Sequence, residues 1–215
     1  MITIENRVVW GFEHAVRGMR NPMNSWDKSD SRWGFEMPEN SDLSPVTYYI
    51  GKNDLDLMKR LYKAGTEHRK YLRQIFVSMD ITAPLYWWKE FDTYKVGTVA
   101  NSCSTMHKIQ AKEFEPIDFS CEHLSHASMG VLDVTISALN VARSEYKKSK
   151  KKEDWWQMIQ LLPSSYNQKR TITMNYENVI TIIKQRTGHK LDEWNELIEQ
   201  LKEFPYIEEI MEDGQ

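Results

Sequence analysis

The stretch YLRQIFVSMDITAP, residues 71–84, constrains the chain most. Leu72, Gln74, Phe76, Ser78, Asp80 and Thr82 fall on one face, and Arg73, Ile75, Val77, Met79 and Ile81 on the other, close to a period of two. Such alternation belongs to a half-buried strand, so the chain must build a sheet and cover one of its faces. Pro84 then starts a helix at a position where its missing amide donor costs little. That helix, PLYWWKEFDTYK, delivers the chain into FDTYKVGTVANSCSTMHK, a string of small, hydroxyl-bearing and amide side chains with few core-forming residues. What this string holds is the functional question.

Elsewhere the pattern mixes strands and helices. ITIENRVVWGF suits an opening strand, and residues 21–45 carry Pro, Gly, Asn and Ser at loop density. Asn53 can cap a helix with Leu55, Met58, Leu61 and Tyr62 on one face, ending near Gly65. Val131, Val134, Thr135, Ala138, Val141, Ala142 and Tyr146 recur at helical spacing, which predicts a long helix from about Met129 into the lysine run KKSKKK. A tryptophan-bearing helix follows to Leu162 and stops at Pro163; SSYNQKR reads as a loop and TITMN as a short strand. The strand leads into a helix with Val179, Ile180, Ile182 and Ile183, which Gly188 ends, and a last helix carries Leu191, Trp194, Ile198 and Leu201. This order, without repeats, indicates an α+β fold with a mixed sheet flanked by helices. A length of 215 residues with 40% hydrophobic content suits a single domain spanning residues 1–215.

A net charge of −3, with both signs interspersed, gives no argument for DNA, RNA or an anionic membrane as partner. The sequence shows neither a signal-peptide pattern nor an apolar run of membrane-spanning length, and Cys103 and Cys121 form no CxxC arrangement. The expectation is a soluble, cytoplasmic protein.

Two segments, DITAPLYWWKEFDTYKVGTVANSCSTMHK and LLPSSYNQKRTITMNYENVITIIKQRTGHKLDEW, resemble the flavin-dependent thymidylate synthases. In that family a strand ending in Ala-Pro precedes a helix and an Arg-His-Arg…Ser…Asn-Glu…Ser…Arg-Tyr signature, and a Leu-Pro…Thr-x-Asn…Leu-Arg…His-Ala-Gln run follows later. The resemblance places Arg186 on a pyrimidine nucleotide such as dUMP, Ser104 on its phosphate, Asn101 at the signature asparagine and Lys95 as a further nucleotide contact. Asn175 falls nearest the flavin. The resemblance also implies FAD, with methylenetetrahydrofolate and NADPH if the family's one-carbon transfer to C5 is retained, in a homotetramer.

The chain departs from the signature where phosphate and flavin would sit. Arg-His-Arg reads Thr93, Tyr94, Lys95; Ser102 takes the acidic position; Met106 and His107 replace Arg-Tyr. Glu177 stands for a flavin-binding arginine, Thr181 for an asparagine, Lys190 for a histidine and Ile159 for a phosphate-binding arginine. Pyrophosphates are held by guanidinium forks, backbone amides or helix N-termini, so these losses imply weakened flavin binding. The sequence supports a rival reading on the same departures, a noncatalytic nucleotide-binding or assembly protein that has lost the flavin site. Plainer roles stand beside each residue. Arg186 can cap its helix or pair with Glu177 or Asp192, Asn175 is a natural N-cap, and Ser104 and Asn101 are turn formers. Cys121, Glu122, His123 and His126 offer ligand types that zinc accepts, and Cys103 lies near His107 as a candidate thiol.

Overall fold

The computed structural model describes residues 2–35 and 46–212. Strand β4 (Phe76–Pro84) carries out the expected alternation, with Val77, Met79, Ile81 and Ala83 buried and Ser78, Asp80 and Thr82 partly open. It lies between β1 (Thr3–Trp10) and β6 (Asn167–Asn175), and β5 (Thr98–Ser102) completes a four-stranded sheet in the order β1-β4-β6-β5. The α+β class holds, with one refinement: every pairing in this sheet is antiparallel, so its strand directions are not mixed. Both central strands run straight into helices, β4 into α3 (Leu85–Phe91) and β6 into α6 (Tyr176–Arg186). Antiparallel pairing sends those two helices off opposite ends of the sheet.

On the open face polar cross-strand pairs replace apolar ones. Thr171 Oγ1 donates to Asp80 Oδ1 at 2.6 Å, Asn6 Nδ2 to Asp80 Oδ2 at 2.8 Å and Lys169 Nζ to Glu5 at 2.8 Å. The buried face joins a large hydrophobic cluster with α1 (Phe12–Arg20), α2 (Lys52–Lys63), α3, α6, α7 (Asp192–Lys202) and α8 (Ile207–Met211). Trp87 and Phe91 of α3 pack on Trp194 of α7, with ring centroids 4.8 and 6.2 Å away. A second cluster gathers Ile109, Phe114, Phe119, Leu132, Ile136, Leu139 and Met158 around α4 (His126–Ser149) and α5 (Lys152–Leu161).

Several elements differ from the sequence expectation. Helix α1 forms where none was expected; Phe12, Ala15, Val16 and Met19 turn inward, and Gly11 enters it at φ +97° with the Gln74 carbonyl where a Cβ would stand. Within the expected loop, β2 (Arg32–Phe35) pairs antiparallel with β3 (Val46–Tyr49); residues 36–45 lie outside the described residues. Helix α2 begins at Lys52, before Asn53, because its cap comes from far away: the Asp30 carboxylate accepts the Asn53 and Asp54 amides at 2.9 and 3.1 Å. Residues Lys70–Gln74 form a 3-10 turn before β4, and β6 starts at Asn167, inside the expected SSYNQKR loop. Helix α4 buries Leu132, Ile136 and Leu139, whereas Val131, Val134 and Val141 of the expected core face are 68%, 70% and 65% exposed. Among the described residues no helix is long and apolar enough to cross a membrane.

Candidate functional site

The polar string is more than a loop. It leaves α3 in a tight turn, with Asp92 N donating to Trp88 O at 2.9 Å and Thr93 Oγ1 to Glu90 O at 2.7 Å, then enters edge strand β5 beside β6. Gly97 makes the entry possible: its φ is +72°, and a Cβ there would lie 2.6 Å from Asn175 Nδ2. Asn178 Nδ2 ties the same turn to α6 by donating to Val96 O at 2.7 Å and Thr98 Oγ1 at 3.0 Å. Between the turn and α3 lies a depression of about 280 Å³ lined by Phe91, Asp92, Tyr94, Lys95, Thr98 and Ala100.

Arg186, the last residue of α6, stands beside this depression and is held in several directions. Its Nε donates to Tyr94 Oη at 2.9 Å and its Nη1 to Glu90 Oε2 at 2.8 Å, while the guanidinium lies 4.6 Å from the Trp194 ring. Glu90 Oε2 also accepts from Trp194 Nε1 at 2.9 Å, and Tyr94 Oη donates to Gln185 Oε1 at 3.0 Å. Tyr94 therefore belongs both to the Arg186 cluster and to the wall of the depression. The acid on Arg186 is Glu90, not Glu177 or Asp192 as the sequence suggested. A second guanidinium missed in the sequence, Arg170, lies 4.2 Å from the Trp88 ring and donates to Asp92 Oδ1 at 2.7 Å.

The five residues singled out in the sequence are not all brought together. Lys95 lines the depression and Arg186 adjoins it through Tyr94. Asn175 caps α6, its Oδ1 accepting the Asn178 amide at 3.0 Å, next to Gly97. Asn101, on β5, pairs with Thr171 of β6, and alternation puts it on the sheet face opposite Thr98 and Ala100. Ser104 Oγ accepts the Met106 and His107 amides at 3.2 and 2.8 Å and so closes a turn.

Glu177 does not stand as an isolated negative charge. Arg69 Nε donates to its Oε1 at 3.2 Å and Arg73 Nε to its Oε2. Burial pushes the Glu177 carboxyl up, but the hydrogen bonds and charges of Arg73 and Arg69 outweigh that and hold it below the usual range. The altered signature positions Thr93, Tyr94 and Lys95 supply one cation, which does not fit the donor set a flavin pyrophosphate requires. Among the described residues no group of three His, Cys, Asp or Glu side chains is placed to hold a metal; His123 reaches Asp192 Oδ2 at 3.1 Å instead of gathering with Cys121, Glu122 and His126. Cys103 is exposed, and its backbone is bonded to Lys169 O and Gln168 Nε2.

No family model and no curated protein matches the chain by sequence. Solved structures match it by fold. Thymidylate Synthase X (ThyX) from Helicobacter pylori, solved with FAD and dUMP, is 15% identical, with 97% of this chain and 96% of that one covered at a TM-score of 0.67. A further structure of the flavin dependent enzyme from that organism, complexed with FAD and dUMP, is 15% identical over 92% and 91% of the two chains, with a TM-score of 0.64. The UMP/dUMP methylase PolB from Streptomyces cacaoi, bound with 5-Br dUMP, is 15% identical over 94% and 88%, with a TM-score of 0.56. The resemblance first seen in two segments thus extends over nearly the whole chain, which has the fold of the flavin-dependent thymidylate synthases.

Proposed function

We propose that this protein binds a pyrimidine nucleotide such as dUMP in the depression between α3 and β5, with the base toward Arg186 and the phosphate toward Lys95 and Thr98. The observation that carries the reading is the state of Arg186. Its Nε and Nη1 are fixed by Tyr94 and Glu90, while among the described residues its Nη2 has no protein acceptor, so the fork is oriented with one edge free. A donor held in place before the ligand arrives loses little entropy on binding. The neighbours of the same fold that hold dUMP or its bromo derivative support the choice of ligand.

Titration calorimetry with dUMP on the wild type and on Arg186→Gln tests the proposal. Removing a charged hydrogen-bond donor is expected to weaken binding by at least about tenfold. Equal affinities in the two proteins would sink it.

One-carbon transfer to C5, with methylenetetrahydrofolate and NADPH, is the chemistry such a site would serve if a flavin were also held. The unfilled signature positions at Thr93 to Lys95 favour the second reading, a nucleotide-binding or assembly protein without that transfer. In either case we read the molecule as a homo-oligomer, because α4 carries an unpaired apolar stripe of Val131, Val134 and Val141.

A further inference from the structure

A separate cavity of about 650 Å³ lies where the end of β1, the start of α1, the β2–β3 hairpin and the turn before α8 meet. It shares no lining residue with the nucleotide depression, and its walls are aromatic. Trp33 and Tyr48, paired across the hairpin, hold their ring centroids 5.1 Å apart with planes at 66°, an internal corner with a ring face on each side. Trp10 stacks on Phe76 at 5.9 Å, which fixes its plane, and Tyr206 stands edge-on to Phe12 at 5.6 Å. Trp10 and Trp33 remain 46% and 54% exposed. Tyr206 has a left-handed backbone, φ +64°, which is costly for a bulky residue. Its hydroxyl accepts the Ile50 amide at 3.0 Å, which ties it to the chain just after β3.

The charge at this cavity has one sign. Glu13 reaches it from the first turn of α1, and among the described residues its carboxylate is in no ion pair. Among the described residues neither Lys nor Arg lines the cavity; Arg17, one turn farther along α1, faces a smaller hollow beside it. Burial raises the Tyr48 pKa, and the charges of Asp54 and Glu13 raise it further, as a negative field requires. Aromatic faces are negative as well, so the rings and the carboxylate favour the same occupant, a cation weakly hydrated enough to leave water. A neutral aromatic guest would desolvate Glu13 without compensating it, and an anion would be repelled by it. The volume also leaves room for an organic body beyond a charged head group. We infer that this cavity binds an organic ammonium ion, with its alkylated nitrogen against Trp33, Tyr48 and Trp10 and its charge balanced by Glu13.

Calorimetry on the full chain, with choline as probe, provides the test. His14 also lines the cavity, so the titration is run at pH 8, where imidazoles carry little charge. Choline is expected to bind the wild type, and 3,3-dimethylbutan-1-ol, which has the same shape without the charge, to bind at least about tenfold more weakly. Trp33→Leu and Glu13→Gln should each weaken choline binding by at least about tenfold while leaving the melting profile and dUMP affinity unchanged. Both side chains are exposed, so neither change is expected to unfold the chain. Choline that does not bind the wild type, or binds both variants as tightly, overturns the inference. Equal binding of the neutral alcohol overturns it too, because the cavity would then select apolar shape and not charge. Each of these results would leave the nucleotide reading standing, because Arg186→Gln tests it with a different ligand.

Discussion

Asp54 is fully buried, yet it is held as a carboxylate. Arg20 Nε reaches Oδ1 at 2.5 Å, and Oδ2 accepts from Ser29 Oγ at 2.7 Å, Ser31 Oγ at 2.6 Å and the amides of Asp30 and Ser31 at 3.1 and 3.0 Å. Burial pushes its pKa up; the hydrogen bonds from Ser31, Ser29 and Arg20 outweigh it and hold the group below its usual value. A depressed folded pKa adds stability that is fully present above the unfolded value and is lost as pH falls through the folded one. Asp54→Asn leaves Arg20 buried without its counter-charge, so urea unfolding at neutral pH should show a loss of about 3–5 kcal/mol. The variant's stability should also fall less steeply in acid; an unchanged acid limb would refute the assignment. Contacts of this kind are hard to read in a sequence. The Asn175 cap was legible because its partner is three residues away, whereas Glu90 and Arg186 are 96 residues apart and meet only after α3 and α6 pack against α7. Glu177, the acid first suggested for Arg186, was taken instead by arginines from the turn before β4.

Helix α4 was legible in extent but not in facing. It has two apolar stripes, and spacing alone favoured Val131, Val134, Ala138 and Val141 over Leu132, Ile136 and Leu139, although the latter are the buried set. Helical periodicity tells which residues share a side, but not which side meets the chain's own core. Three β-branched side chains left largely in water are costly in a lone chain and are accounted for if the stripe meets another copy. Val134→Glu/Val141→Glu should therefore lower the mass measured by sedimentation while leaving far-ultraviolet dichroism unchanged. A wild type already monomeric at micromolar concentration would contradict this. Strand β5 was hidden for a related reason. An edge strand needs hydrogen bonds on one side only, so Thr98–Ser102 pairs with β6 despite side chains that read as a loop.

At the scale of the molecule, the two hydrophobic clusters pose the question of one folding unit or two. Residues Ser164–Gln168 stand at their junction. Leu85 N donates to Tyr166 O at 3.0 Å, Tyr86 N to Ser164 O at 2.9 Å and Trp88 Nε1 to Gln168 O at 2.9 Å, which ties α3 and the sheet-side cluster to this segment. From the other side Ser120 N donates to Ser165 O at 2.9 Å, and Phe119 pairs with Tyr166, with their rings 5.6 Å apart. Ser120 Oγ adds a bond to Asn167 Oδ1 at 2.9 Å. A segment shared this way cannot release one cluster without exposing polar groups that the other has buried. We therefore propose one cooperative domain, and Leu139→Ala, in the α4 cluster, should test it. Truncating this fully buried side chain should cost about 2–5 kcal/mol, and the loss should shift the whole transition rather than split it. Dichroism of the helices and tryptophan fluorescence, which Trp87, Trp88 and Trp194 of the sheet-side cluster contribute to, should then move together in urea. If part of the helical signal and the share of fluorescence from Trp155 and Trp156 on α5 moved early while the rest kept its wild-type midpoint, the α4 cluster would be a separate unit.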